Sequence, residues 1–221
     1  SISKSDLCSD LVGEYPELQG VMGKYFALAQ GFEEDVANSV SDHYLPTGLT
    51  SVLPKKPFSY SISIVDKIDT LVGFFIIDEK PTSSKDPFAL RRAAIGLLRI
   101  IIENKLSFKL RDLISYAIRL YQEQGVEIKN EKTEQQVLEF IKERMRNVLK
   151  LKNIKTDVIE ASISSHAGDN FLALYAKTLL MNKYKNKVIG LNAINSYKRA
   201  SNILDKAGKR ITGRPDAVLF R

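Results

Sequence analysis

The sequence is poorest in the residues that build redox and metal chemistry. It holds one cysteine and two histidines in 221 residues. Cys8 has no partner for an internal disulfide, and one thiol cannot build a cysteine-based structural zinc site. That usage fits a reducing cytosol. The 12 glycines are scattered, and no phosphate-cradling loop, no Gly-x-Ser-x-Gly and no cysteine–histidine zinc pattern occurs. A nucleotide-using enzyme ordinarily shows a glycine cluster. The longest apolar stretches are 71–77 and 95–102, the second interrupted by Arg99. Both fall well short of the ~20 residues of a membrane span. The first residues include Ser, Lys and Asp and form no apolar signal segment. Strand-like alternation, internal repeats and low-complexity tracts are absent. The chain opens without Met and closes on Phe220-Arg221 after a basic stretch, so an excised fragment is expected.

What is present is a core-forming composition, 44% hydrophobic, and a segregated charge. The net charge of +7 divides into 12 acidic and 6 basic side chains over residues 1–80, and 14 acidic and 27 basic over the remainder. Residues 183–214 hold nine Lys or Arg against Asp205 alone. A field of that sign draws polyanions. A solvated basic helix face has the same composition.

The periodicity is helical nearly throughout, so an all-α protein is expected. Residues 33–44 place Val36, Val40, His43 and Tyr44 on one helix face, ended by Pro46 and Gly48. Residues 49–60, with Pro54 and Pro57, read as a loop. Residues 61–77 read as the most buried helix, with an apolar arc of Ile62, Ile64, Val65, Ile68, Leu71, Val72 and Phe75. Asp86-Pro87 reads as an N-cap and first-turn proline for a helix over 88–104. Further helices are expected at about 109–123, 132–150, 155–164, 170–184 and 188–206. The run 164–170 marks a domain change, giving domains 1–165 and 166–221.

Four places offer candidate chemistry. Asp69 falls on the margin of the apolar arc of 61–77 and Asp66 further round, and a carboxylate in an apolar helix needs a partner. Metal ligation, RNA positioning and a structural hydrogen bond, as to His43, remain open. His43 itself points inward as a core residue or a ligand. Arg91 and Arg92 lie near the positive end of their helix, where a nearby anion would stabilise them. On 188–206, Ile194, Tyr197, Ser201 and Leu204 share a face that can stay packed. Lys198, Arg199, Asn202 and Lys206 spread over the others, as RNA-phosphate contacts would.

Several runs resemble the β subunit of the bacterial two-subunit glycyl-tRNA synthetase. They are Tyr15-Pro16-Glu17-Leu18-Gln19-Gly20-Val21-Met22-Gly23, Asp42-His43-Tyr44-Leu45-Pro46, Asp66-Lys67-Ile68-Asp69-Thr70-Leu71-Val72-Gly73-Phe74-Phe75, Ser84-Lys85-Asp86-Pro87-Phe88-Ala89-Leu90-Arg91-Arg92-Ala93 and Lys198-Arg199-Ala200-Ser201-Asn202-Ile203-Leu204. The block ending in Ala-Leu-Arg-Arg is the specific one. The resemblance implies an HD-domain-like helical bundle followed by the beginning of a helical anticodon-binding domain. It implies a cytoplasmic ligase, an α2β2 heterotetramer, in which the β subunit recognises tRNA-Gly. Glycine activation, with ATP and Mg, falls to the α subunit, so this chain is expected to hold no cofactor and no catalytic residue. The candidate RNA-binding residues, read from charge and helical spacing, are Arg91, Arg92, Lys198, Arg199, Asn202 and Lys206. The HD type raises a metal-dependent phosphohydrolase as an alternative, since such sites gather a histidine, a His-Asp doublet and a later aspartate. Asp66 stands where the later aspartate would, but neither His43 nor His166 precedes an Asp. His43, Asp66 and Asp69 are therefore read as a vestigial site without metal. A module that only docks the α subunit is the other alternative.

Overall fold

The computed structural model describes residues 2–48, 50–82, 85–165 and 168–207. Among them ten α-helices and two short 3-10 turns account for the regular structure, and no strand occurs. Ser84, His166, Lys209, Arg210 and Arg214 lie outside the described residues. The chain divides into two compact units, Ser1–Lys177 and Thr178–Arg221.

The first unit is organised around α4 (Pro57–Ile76). It begins at Pro57, four residues before the expected start, because that proline occupies the first turn, where a missing N–H costs nothing. Leu71, Val72 and Ile76 are fully buried, and Ile64, Ile68 and Phe75 nearly so. Val65 corrects the expected arc: it is 63% exposed. The buried face of α4 also carries polar groups, Ser59 in the first turn and Ser63 and Lys67 within the arc. Four helices pack on α4: α3 (Glu34–Asp42), α5 (Leu90–Glu103), α6 (Leu110–Glu123) and α7 (Thr133–Leu151). α1 (Asp10–Glu14) and α2 (Val21–Ala29) precede α3, with α2 against it, and α8 (Thr156–Ser164) packs on α7.

α5 corrects the expected cap. It begins at Leu90, and the residue before it, Ala89, sits in the left-handed region at φ 53°. Asp86 still caps the helix, from four residues before its first residue: its carboxylate accepts from the backbone N–H of Leu90 at 2.9 Å and of Arg91 at 3.0 Å. Arg99, which breaks an apolar run in the sequence, is half-buried on this helix and ties down the loop between α3 and α4. It donates to the carbonyls of Gly48 at 2.8 Å and Ser51 at 3.0 Å.

In the second unit, α10 (Val188–Ala207) is exposed along nearly its whole length. The expectation that Ile194, Tyr197 and Leu204 stay packed is corrected: they are 39%, 75% and 44% exposed. α9 (Phe171–Tyr184) spans the division between the units. No described helix is long and apolar enough to cross a membrane.

These burials set a contrast along one helix. Leu71→Ala should cost about 2–5 kcal/mol, the range for emptying a fully buried leucine site. Val65→Ala should change stability by less than about 0.5 kcal/mol, as exposed substitutions do. Urea titration of both variants checks this, and equal losses would contradict the placement of α4.

Candidate functional site

The densest polar chemistry lies where α3 ends beside α4. His43 follows α3 and is fully buried. Its Nδ1 lies 2.8 Å from the Val40 carbonyl oxygen, so Nδ1 carries the proton and Nε2 is left as an acceptor. Nε2 has no hydrogen-bond partner among the described residues. Burial holds the imidazole below its ordinary pKa, against the pull of the Asp66 charge, and Lys4 and Lys67 push it the same way.

Lys67 is the residue that sequence reasoning missed. It is 5% exposed, and its Nζ donates to the His43 carbonyl at 3.1 Å, the Leu45 carbonyl at 2.9 Å and Ser63 Oγ at 2.9 Å. Burial pulls the ammonium down to about 8, opposed by Asp66 and reinforced by Lys4. Gly96 of α5 makes the room: a Cβ there would stand 3.0 Å from Lys67 Cε and 3.2 Å from Pro46 Cγ. The run Val65-Asp66-Lys67 offered no signal, because a lysine inside an apolar arc ordinarily sits outside the core.

Asp66 is half-buried and pairs with Lys4 at 2.5 Å, not with His43. Burial works against the Lys4 ammonium, but the Asp66 hydrogen bond and charge prevail and raise its pKa. Asp69 is exposed and lies on the α6 side, where burial and its negative charge push the Tyr121 hydroxyl up to about 12. The structure thus brings His43 and Asp66 into one electrostatic neighbourhood and leaves Asp69 in another.

The donor set does not fit a divalent metal. Asp66 is paired with Lys4, and the Lys67 ammonium, bound to the His43 carbonyl, places a positive charge beside the imidazole. No group of three or more His, Cys, Asp or Glu side chains comes together among the described residues. The buried His43 Nε2 alone offers one ligand, and a metal site needs several.

The second feature is an arginine ledge at the start of α5. Arg91 donates to the Thr82 carbonyl and lies 3.9 Å from the Asp86 carboxylate. Asp86 thus gives Arg91 a nearby anion, beside the neutral Thr82 carbonyl. Arg92 is exposed. Both arginines line a cleft of about 280 Å³ with Gly48, Asp86 and Ile95. Arg144 of α7, also unnoticed in the sequence, stacks over Phe140 at 4.8 Å, and its buried Nε has no hydrogen-bond partner among the described residues. Burial lowers its pKa, and the Arg91 charge adds to that against Glu143 and Asp86. On α10, Lys198, Arg199, Asn202 and Lys206 are all exposed.

The described chain is therefore an all-α protein with a lysine-centred polar knot, an arginine ledge and a separate exposed basic helix. Comparison with known proteins gives its family. Residues 1–164 match the family model described as glycyl-tRNA synthetase beta subunit. The chain is 41% identical over 219 residues to the glycine–tRNA ligase beta subunit of Rickettsia canadensis (strain McKiel), covering 99% of this chain and 31% of the relative. It is 37% identical over 209 residues to that of Ruegeria sp. (strain TM1040), covering 95% and 29%. It is 38% identical over 206 residues to that of Paracoccus denitrificans (strain Pd 1222), covering 93% and 28%. The chain belongs to the glycyl-tRNA synthetase beta-subunit family, and it spans about a third of the length of the curated relatives it matches.

The lysine knot has a pH signature. Unfolded Lys67 keeps its proton to about 10.4, whereas the folded one loses it at about 8. Between these values the unfolded state binds more protons, so stability contributed at this site rises with pH across that window. The stability of the wild type relative to Lys67→Met should therefore increase from pH 8 to about 10.4, measured by urea unfolding at each pH. Parallel curves for the two proteins would rule out the titration.

Proposed function

We propose that this chain is a tRNA-handling part of a glycine–tRNA ligase beta subunit, supporting ATP-dependent attachment of glycine to tRNA-Gly by the α subunit. Family membership across residues 1–164 is the observation that carries the reading. The charge distribution supports it: the polyanion-attracting half begins after residue 80, and α10 exposes Lys198, Arg199 and Lys206 together. In this reading α10 grips phosphates, and Asn202 adds a hydrogen bond. Arg92 is a second contact, with Arg91 held behind it by Thr82 and Asp86.

The HD-like bundle serves here as scaffold. His43 and Asp66 are vestiges of a hydrolase arrangement, with the Lys67 ammonium now bound to the His43 carbonyl, and Asp69 stands apart beside Tyr121. ATP and Mg act at the α subunit, in the cytoplasm, within an α2β2 assembly. Residues beyond 165 begin the anticodon-binding domain. Reading of unpaired bases, which need stacking and edge hydrogen bonds, falls to segments of the subunit outside this chain.

Lysine and arginine contacts to phosphate release counterions, so log affinity falls by about 0.7–0.9 per unit log salt for each phosphate neutralised. The full-length beta subunit carrying Lys198→Glu and Arg199→Glu should bind tRNA-Gly with a shallower salt slope by about 1–2 units. Helix propensity is little changed, so its circular dichroism should match the wild type. An unaltered slope would turn α10 toward protein or solvent. This chain alone should transfer no labelled glycine to tRNA with ATP present, and transfer without the α subunit would overturn the division of labour.

A further inference from the structure

α2 is apolar on two opposite faces. Gly23 and Ala27 are buried against α3, where Val40 Cγ1 would stand 2.7 Å from a Cβ at Gly23. On the other side Val21, Tyr25 and Leu28 are 45%, 58% and 38% exposed. At about 100° per residue these three fall within about 60° of one another, as a stripe along the helix. Lys24 is the one charged residue of the nine. A helix apolar all round is a buried helix, so this stripe calls for a cover.

A cleft adjoins the same helix, where Ala27 packs in one cluster with Val40 and Ile2. Phe32, just past the end of α2, is 40% exposed and forms one wall. The other walls are Ile2, Val36, Phe58, Ile62 and Val65, around about 540 Å³. Val65, exposed against expectation, belongs to this surface. The volume takes a large apolar side chain with room to spare.

The charge around the stripe says what kind of cover it takes. Residues 7–35 hold six carboxylates against Lys24 alone, and of these Asp35 is paired with Lys56 at 2.6 Å. Glu14, Glu17, Glu33 and Glu34 are all exposed. Phosphate backbones and anionic lipid surfaces are repelled by such a rim, whereas a protein patch ringed by Lys and Arg is attracted.

We propose that the α2 stripe and its cleft are a docking face for a protein partner, one presenting an apolar anchor within a basic rim. The partner seats the anchor in the Phe32–Phe58 cleft and lies along Val21, Tyr25 and Leu28. The inference rests on the reading above of the chain as part of a multi-subunit ligase. It assigns the acidic half to protein contact and leaves RNA to the basic half.

The test uses the full-length beta subunit with the purified α subunit as the probe. Two variants are made: Tyr25→Glu with Leu28→Glu, and the rim variant Glu14→Lys with Glu17→Lys. Subunit affinity is read by sedimentation, and tRNA affinity of the isolated beta subunit by filter binding. The stripe variant should bind α at least about thirtyfold more weakly, as loss of central anchors does. The rim variant should bind more slowly and lose salt dependence. Both should keep wild-type tRNA affinity and circular dichroism. Hydrogen exchange over residues 21–32 should slow when α is added to the wild type. Wild-type α affinity in both variants would overturn the inference. So would a stripe that α leaves unchanged because the rest of the beta chain already covers it, or a loss confined to self-association of the beta subunit. A wild-type pair that assembles through this face and charges no tRNA-Gly leaves the docking face standing and sinks the functional reading instead.

Discussion

A buried ammonium organises the first unit. Lys67 Nζ is held by two carbonyls and one hydroxyl, and both carbonyls, of His43 and Leu45, belong to the chain leaving α3. One cation therefore fastens the α3 exit onto α4. A buried charge is costly unless hydrogen bonds surround it, which explains why its three donors all meet oxygens. Gly96 completes the arrangement, since any side chain there would press on Lys67 Cε and Pro46. Asp66, the residue before it, ties Lys4 of the N-terminal segment to α4. Three separate stretches of chain thus converge on two consecutive residues.

The same knot decides what the polar cluster can do. A hydrolase of the HD kind would gather neutral and anionic ligands around an empty centre. Here the neighbourhood of His43 contains Lys4 and Lys67, whose charges lower its proton affinity further. Such surroundings favour a neutral, structural imidazole.

Much of the fold was legible because long helices announce themselves by period. The helices at 110–123, 133–151, 156–164 and 171–184 fall within a residue of their expected bounds. The inward placement of His43 followed from Val36 and Val40 sharing its face. What escaped was set by tertiary contact. Val65 has the hydrophobicity of a core residue, but its side of α4 meets only the open cleft. Asp86 caps α5 across a left-handed Ala89, a geometry no dipeptide signal encodes. Lys67 was passed over because its burial depends on carbonyls that only the folded α3 exit presents. The apolar residues of α10 have the spacing of a packed stripe, yet spacing alone does not supply the surface that covers it.

Charge segregation links these parts to function. An acidic, apolar-faced first half and a basic second half are suited to different partners, and the function proposed above gives RNA to the basic half. The central claim, that RNA meets the basic half, is tested most directly by lysine footprinting of the full-length beta subunit with and without tRNA-Gly. Acylation rates at Lys198 and Lys206 should fall on adding tRNA while those at Lys24 and Lys56 stay constant. Protection of Lys24 and Lys56 with Lys198 and Lys206 unaffected would contradict the account.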